Sequence, residues 1–143
     1  MHRLSKLVIA ATAIGMVLAG TAQAADLIVN VREVRSTQGV IALAVYDSED
    51  GFLADDAAVA SATVSPAAGG TEVVFKDLPP GTYAVAAFHD ENESGKFDTN
   101  FLGIPKEGYG FSNGAKAVLG PPAFEDAAVP VESEAVTELD LSY

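Results

Sequence analysis

An all-β sandwich of about six to eight short strands is the fold class this sequence predicts. Three observations carry the prediction. Apolar residues recur at every second position in several short runs. Turn-forming Gly, Pro, Asn and Asp residues separate those runs at close spacing. Beyond residue 24 no segment keeps a long 3.6-residue period, so no long amphipathic helix is expected.

The opening residues belong to a different kind of segment. Arg3 and Lys6 make a basic start, residues 7–20 are apolar apart from Thr12, and Ala22-Gln23-Ala24 offers a small-x-small cleavage site. These are the three parts of a secretory signal peptide, and the apolar run is short for a bilayer span. Cleavage of residues 1–24 leaves a single domain, 25–143, exported to the periplasm or beyond the cell, with no stable membrane insertion. The chain has no Cys. That removes a lipoprotein anchor and any disulfide, so packing, or packing helped by an ion, must hold the domain together.

The elements follow in order. Leu27, Val29 and Val31 fall on one parity and Asn30 and Arg32 on the other, which makes a half-buried strand. Residues 36–39 read as a tight turn. Residues 39–46 are apolar on both parities, predicting a central strand covered on both sides; with the first run it predicts a β-hairpin. Residues 47–56 are polar, contain Gly51 and read as a loop. Residues 57–64 suit a short strand or a helical turn, and 66–70 a loop. Val73 and Phe75 oppose Glu72 and Lys76, giving another strand. Asp77-Leu78-Pro79-Pro80-Gly81 is a turn, because proline fixes φ and glycine permits a positive one. Residues 82–89 return as a strand. Thr137, Leu139, Leu141 and Tyr143 alternate with Glu138 and Asp140 in a last one.

Residues 90–128 break this rhythm. They are rich in glycine and proline, yet carry Phe97, Phe101, Leu102, Ile104, Tyr109, Phe111, Leu119 and Phe124. So many large apolar groups argue against disorder. A long, ordered loop packed over one end or face of the sandwich is expected.

Charge limits the partners. Without Arg3 and Lys6, 6 basic residues face 20 acidic ones, a formal charge of −14. Nucleic acid and anionic membrane are repelled by such a surface. Cations, or a basic partner, are the natural counterparts; which protein or small-molecule ligand is bound is not given by the sequence.

The start of the long loop has the spacing of a calcium loop. Asp90, Asn92 and Ser94 supply side-chain oxygens at alternate positions, Gly95 permits the sharp bend, Lys96 offers its carbonyl, and Asp98 follows two residues on. Phe101 stands where an EF-hand has its bidentate glutamate, so further ligands must come from elsewhere. Glu91, Glu93, Asn100, Glu107, Glu125 and Asp126 are the nearest in sequence. The alternative is a metal-free turn, which favours the same residues because they bond to nearby backbone. Zinc and copper suit the chain less, since the mature part has no Cys and one His. No other cofactor is indicated.

That one histidine, His89, precedes Asp90. A His–Asp base can be imagined, but neighbours on a strand face opposite sides, so a strand-end histidine in a local hydrogen bond is the expectation. Ser112 lacks the G-x-S-x-G elbow of a nucleophile. Residues 103–114 combine glycines with aromatics; Tyr109, Phe111 and Asn113 are candidates for a recognition surface, or else fold inward.

Two resemblances extend this reading. The stretches D-L-P-P-G-T-Y-A-V-A-A-F-H-D-E-N-E-S-G-K-F-D-T-N, G-I-P-K-E-G-Y-G-F-S-N and G-P-P-A-F-E-D-A resemble a bacterial family of small secreted proteins known only as a domain of unknown function. That resemblance covers nearly all of the mature chain and implies no established activity. L-P-P-G-T-Y-A-V is also similar to the strand–turn–strand signature of transthyretin-like and carboxypeptidase-regulatory-like domains. It implies an immunoglobulin/transthyretin-like (prealbumin-like) Greek-key sandwich used as a binding or accessory module, though fold does not settle function.

The sequence thus points first to an exported, non-enzymatic binding or accessory module with a calcium-stabilised loop. A small hydrolase using His89 and Asp90 is the second reading. The third is an envelope protein that associates through sheet edges.

Overall fold

The structure, a computed structural model, describes residues 23–143. The expected signal peptide lies outside the described residues except for Gln23 and Ala24. Two packed sheets form the domain, so the all-β sandwich expected from alternation is what the chain builds. Among the described residues no helix is long and apolar enough to cross a membrane.

The smaller sheet has β1 (Ala25–Arg32) at its centre. Strand β4 (Gly70–Leu78) pairs with it antiparallel and β8 (Glu134–Asp140) pairs parallel. The larger sheet runs β3 (Ala60–Val64), β2 (Val40–Tyr46), β5 (Gly81–Asp90), β6 (Gly108–Phe111). Strand β7 (Val129–Val131) joins it by pairing with the start of β5. Period two does the sorting: Leu27, Val29, Ile41, Val45, Val85, Val131 and Leu139 are fully buried between the sheets. Each contributes about 1.5–3 kcal/mol of burial.

The hairpin expected between the first two runs does not form. β1 and β2 lie in different sheets, and residues 33–39 carry the chain from one sheet to the other. The reason is that both runs own an apolar face. Sheets stack about 10 Å apart, a gap that seven residues span easily. Facing each other across the core buries both runs, with Val34 packed beneath the crossing. The Pro-Pro-Gly turn also joins the two sheets, taking β4 to β5 rather than closing a hairpin. The Tyr83 hydroxyl donates to the Pro79 carbonyl and pins that turn. Residues 57–64, open between strand and helical turn, end in the edge strand β3.

Strand β5 organises the long loop. β6 pairs with its residues 86–89 and β7 with 81–83, both on the edge opposite β2. Between them Val85 lacks a strand partner on that side. The Ser112 hydroxyl fills the gap: it accepts from the Val85 N–H at 2.8 Å and donates to the Ala127 carbonyl at 2.6 Å. Ser112 is fully buried and opens a 3-10 turn, Ser112–Gly114. A single helical turn, α1 (Phe124–Ala127), leads into β7. The segment expected as one long packed loop contains β6, the 3-10 turn and α1; Phe111 is buried, whereas Phe97, Phe101, Leu102, Ile104 and Leu119 are exposed.

The candidate metal centre and its surroundings

Strand β5 ends at Asp90, which is 2% exposed. Its carboxylate turns the chain by accepting from the Ser94 N–H at 3.0 Å and the Gly95 N–H at 2.8 Å. Gly95 has φ +76°, a conformation that glycine adopts without a Cβ penalty. The bend gathers the expected donors. Ser94 Oγ lies 2.8 Å from Asp98 Oδ2 and 3.0 Å from the Lys96 carbonyl. Asn92 donates to Asp98 Oδ2 at 3.0 Å, and its own oxygen accepts from the Ser94 N–H at 3.2 Å. Asp90, Asn92, Ser94, the Lys96 carbonyl and Asp98 thus form one cluster.

Glu107, and not Phe101, lies beside this cluster. Phe101 points into solvent. The chain reverses beyond it, with the Asn100 N–H on the Ile104 carbonyl at 2.8 Å and the Lys106 N–H on the Asp98 carbonyl at 2.9 Å. This small hairpin returns Glu107 to the cage. Glu107 is 5% exposed, and its Oε2 accepts from the Asp98 N–H at 3.2 Å. Its Oε1 is buried with no hydrogen-bond partner. Carboxylate oxygens of Asp90, Asp98 and Glu107 all lie within 4.8 Å of one another. Burial first, then the charges of Asp90 and Asp98, push the Glu107 carboxyl up to about 7. The Ser94 and Asn92 hydrogen bonds hold Asp98 below its ordinary value. A cavity of about 460 Å³ opens beside this cluster, edged by Arg35, Thr99 and Lys106.

The other acids near in sequence do different work. Glu91 leaves the cage to bond Arg35 Nε at 2.9 Å and Ser36 at 2.7 Å, which lowers its pKa, chiefly through Arg35. The Asn100 side chain accepts from Leu102 and Ile104 within its own turn. Glu93 is exposed, and Glu125 and Asp126 belong to α1, beside the 3-10 turn.

His89 faces away from Asp90, into the interior, as parity requires. It is fully buried. Nε2 donates to the Gln38 carbonyl at 2.7 Å, which leaves Nδ1 to accept from the Tyr143 hydroxyl at 2.7 Å. Both nitrogens are engaged by protein groups and the ring is fully buried, so it ties β5 to Gln38 and Tyr143. Tyr143 carries this tie outward: its hydroxyl accepts from the Arg35 N–H at 3.2 Å, and the Arg35 guanidinium sits 4.2 Å over its ring. Gly108 makes room for it, since a Cβ there would lie 2.4 Å from that ring. Tyr143 was expected in the last strand but lies beyond β8, and its partners in this clamp are remote in sequence.

The three recognition candidates separate. Tyr109 and Phe111 sit on one face of β6 and line a broad groove on the outer side of the larger sheet. Asn113 is absent from that groove. Its backbone N–H bonds Thr137 at 2.8 Å and its side-chain amide bonds the Asp126 carbonyl at 3.1 Å, anchoring the turn.

A comparison with curated proteins finds no match, and neither does one with solved structures. A family model, described as an uncharacterized protein conserved in bacteria (DUF2141), matches residues 29–139, from the first core strand to the last. The chain belongs to that family.

Proposed function

We propose that the mature chain is an exported, non-enzymatic binding or accessory module whose acidic loop holds one calcium ion. One observation carries the metal: a buried carboxylate oxygen, Glu107 Oε1, without a partner and within 4.8 Å of two further carboxylates. Such a group is costly unless a cation joins it. Oxygens that share an ion at about 2.5 Å lie at most about 5 Å apart, which these satisfy. The donors are hard oxygens from Asp90, Asn92, Ser94, Asp98, Glu107 and the Lys96 carbonyl, the set calcium prefers. The basic start, apolar run and A-Q-A site support export, where calcium affinities of about 10⁻⁴–10⁻³ M are typical of modules. The engagement of both His89 nitrogens favours a binding role over a hydrolase.

Thermal unfolding tests the metal. At calcium near a hundred times Kd, stability should rise by about 2.7 kcal/mol. Melting temperature should climb with calcium, fall in chelator, and cease to respond in an Asp90→Ala, Asp98→Ala double variant. A wild type indifferent to calcium would refute the proposal.

A further inference from the structure

Among the described residues β4 pairs with β1 alone and β3 with β2 alone, so one edge of each strand keeps unpaired backbone groups. Such an edge is a template for another strand. The two edges differ. β3 bears no charge. β4 carries Glu72 and Lys76 on its outer face, one on each side of Val74. Both are exposed, and neither makes an ion pair among the described residues. They cannot pair with each other, because four residues of strand separate them by about 13 Å.

Val74 also ends an apolar row that crosses the smaller sheet. Ile28 lies opposite Val74 on one side and opposite Val136 on the other. Val74 is 38% exposed and Val136 58%. The next row is polar: Glu72, Asn30 and Glu138. A second β4, antiparallel and centred on Val74, would continue the apolar row into a second molecule. The same register sets Glu72 opposite the partner's Lys76 and Lys76 opposite the partner's Glu72, so one two-fold axis makes both pairs. A slip of two residues either way loses them, placing Val74 opposite Glu72 or opposite Lys76. The bulge at Lys76 and Asp77, where the β1 register shifts and Asp77 has φ +59°, ends the straight stretch at that point. The opposite edge of this sheet has no such match. On β8 the equivalent pairing about Val136 would set Glu134 against Glu138, and like charges facing each other destabilise a strand pair.

From this self-complementarity we infer that a second copy of the chain docks along β4, joining two smaller sheets into one six-stranded sheet about a two-fold axis at Val74. The interface goes beyond the binding-module reading and does not depend on the metal.

Sedimentation equilibrium of the mature protein in chelator, from about 1 µM to about 1 mM, tests it, because a single strand edge makes a small and weak interface. A monomer–dimer equilibrium is expected. Glu72→Lys and Lys76→Glu each put two like-charge pairs into the interface. Each should weaken the dimer at least about tenfold, while the melting temperature of the monomer holds. The double variant Glu72→Lys, Lys76→Glu reverses both pairs and should restore the wild-type constant to within about threefold. The chain has no Cys, so Val74→Cys places its one thiol at the axis. With oxidised glutathione that variant should cross-link to a covalent dimer, whereas Val136→Cys at the same concentration should not. A protein that stays monomeric to about 1 mM overturns the inference. So does a dimer that either single charge variant leaves intact, or one that the double variant fails to restore; such a dimer would use another surface, with β3 the other open edge.

Discussion

Replacing Glu107 by Gln should make the metal-free protein more stable and the calcium-loaded protein less so. The folded state raises this carboxyl from 4.5 to about 7. A carboxyl with a raised folded pKa binds its proton more tightly when folded, so it costs nothing below about pH 4.5. The cost grows as pH rises toward 7 and is constant above. At 1.36 kcal/mol per pKa unit it reaches at most about 3 kcal/mol, with Asp90 and Asp98 supplying part of it. Asp98 is partly exposed, so screening brings the expected value to about 1–3 kcal/mol. Gln keeps the oxygen that accepts from the Asp98 N–H and drops the charge. Denaturant unfolding in chelator should therefore show Glu107→Gln more stable than wild type by about 1–3 kcal/mol at pH 8, several degrees in Tm, with the difference vanishing near pH 4.5. In millimolar calcium the order should reverse, because the variant cannot neutralise the ion. A variant less stable than wild type in chelator at pH 8, or one with an intact calcium response, would refute the reasoning.

Other outcomes follow from the same contacts. Ser112→Ala leaves the Val85 N–H and the Ala127 carbonyl without their partner, and should cost about 1–3 kcal/mol by denaturant unfolding. His89→Ala opens a cavity and strands the Gln38 carbonyl and Tyr143 hydroxyl, so a loss of about 2–4 kcal/mol is expected. Gly95→Ala forces a Cβ into a positive-φ turn; it should cost about 1 kcal/mol and weaken calcium binding, read by calorimetry. Mass spectrometry of protein recovered from an exporting bacterial host should find Ala25 as the first residue; a retained residue 1 would contradict the export reading.

What was legible in the sequence was local. Alternation located the core faces of β1, β4 and β8, because a strand's two sides differ at every step and nothing remote is needed to see it. Pairing was not legible. β1 and β2 looked like a hairpin because they are adjacent and apolar, but sheet membership depends on which faces bury best across the core. At the site, Asp90, Asn92, Ser94 and Asp98 were readable from spacing alone. Glu107 was one of six nearby acids and amides; only the reversal at residues 99–105 selects it. Residues 39–46 are apolar on both parities, and the structure buries Ile41, Leu43 and Val45 in the core while half-burying Ala42 and Ala44 on the other face. The His89–Tyr143 contact had no local signal, since its partners lie 54 residues apart.

The most direct test of the calcium cage is a calcium titration of the labelled mature domain followed by amide NMR. One equivalent of bound ion should shift the Ser94, Gly95 and Asp98 amides together along a single saturable curve, the Gly95 signal most, since its N–H reports on the Asp90 carboxylate. Spectra in which those three amides stay put while calcium reaches 10 mM, or drift equally with sodium, would contradict a built site, on the scale of about 10⁻⁴–10⁻³ M expected for exported modules.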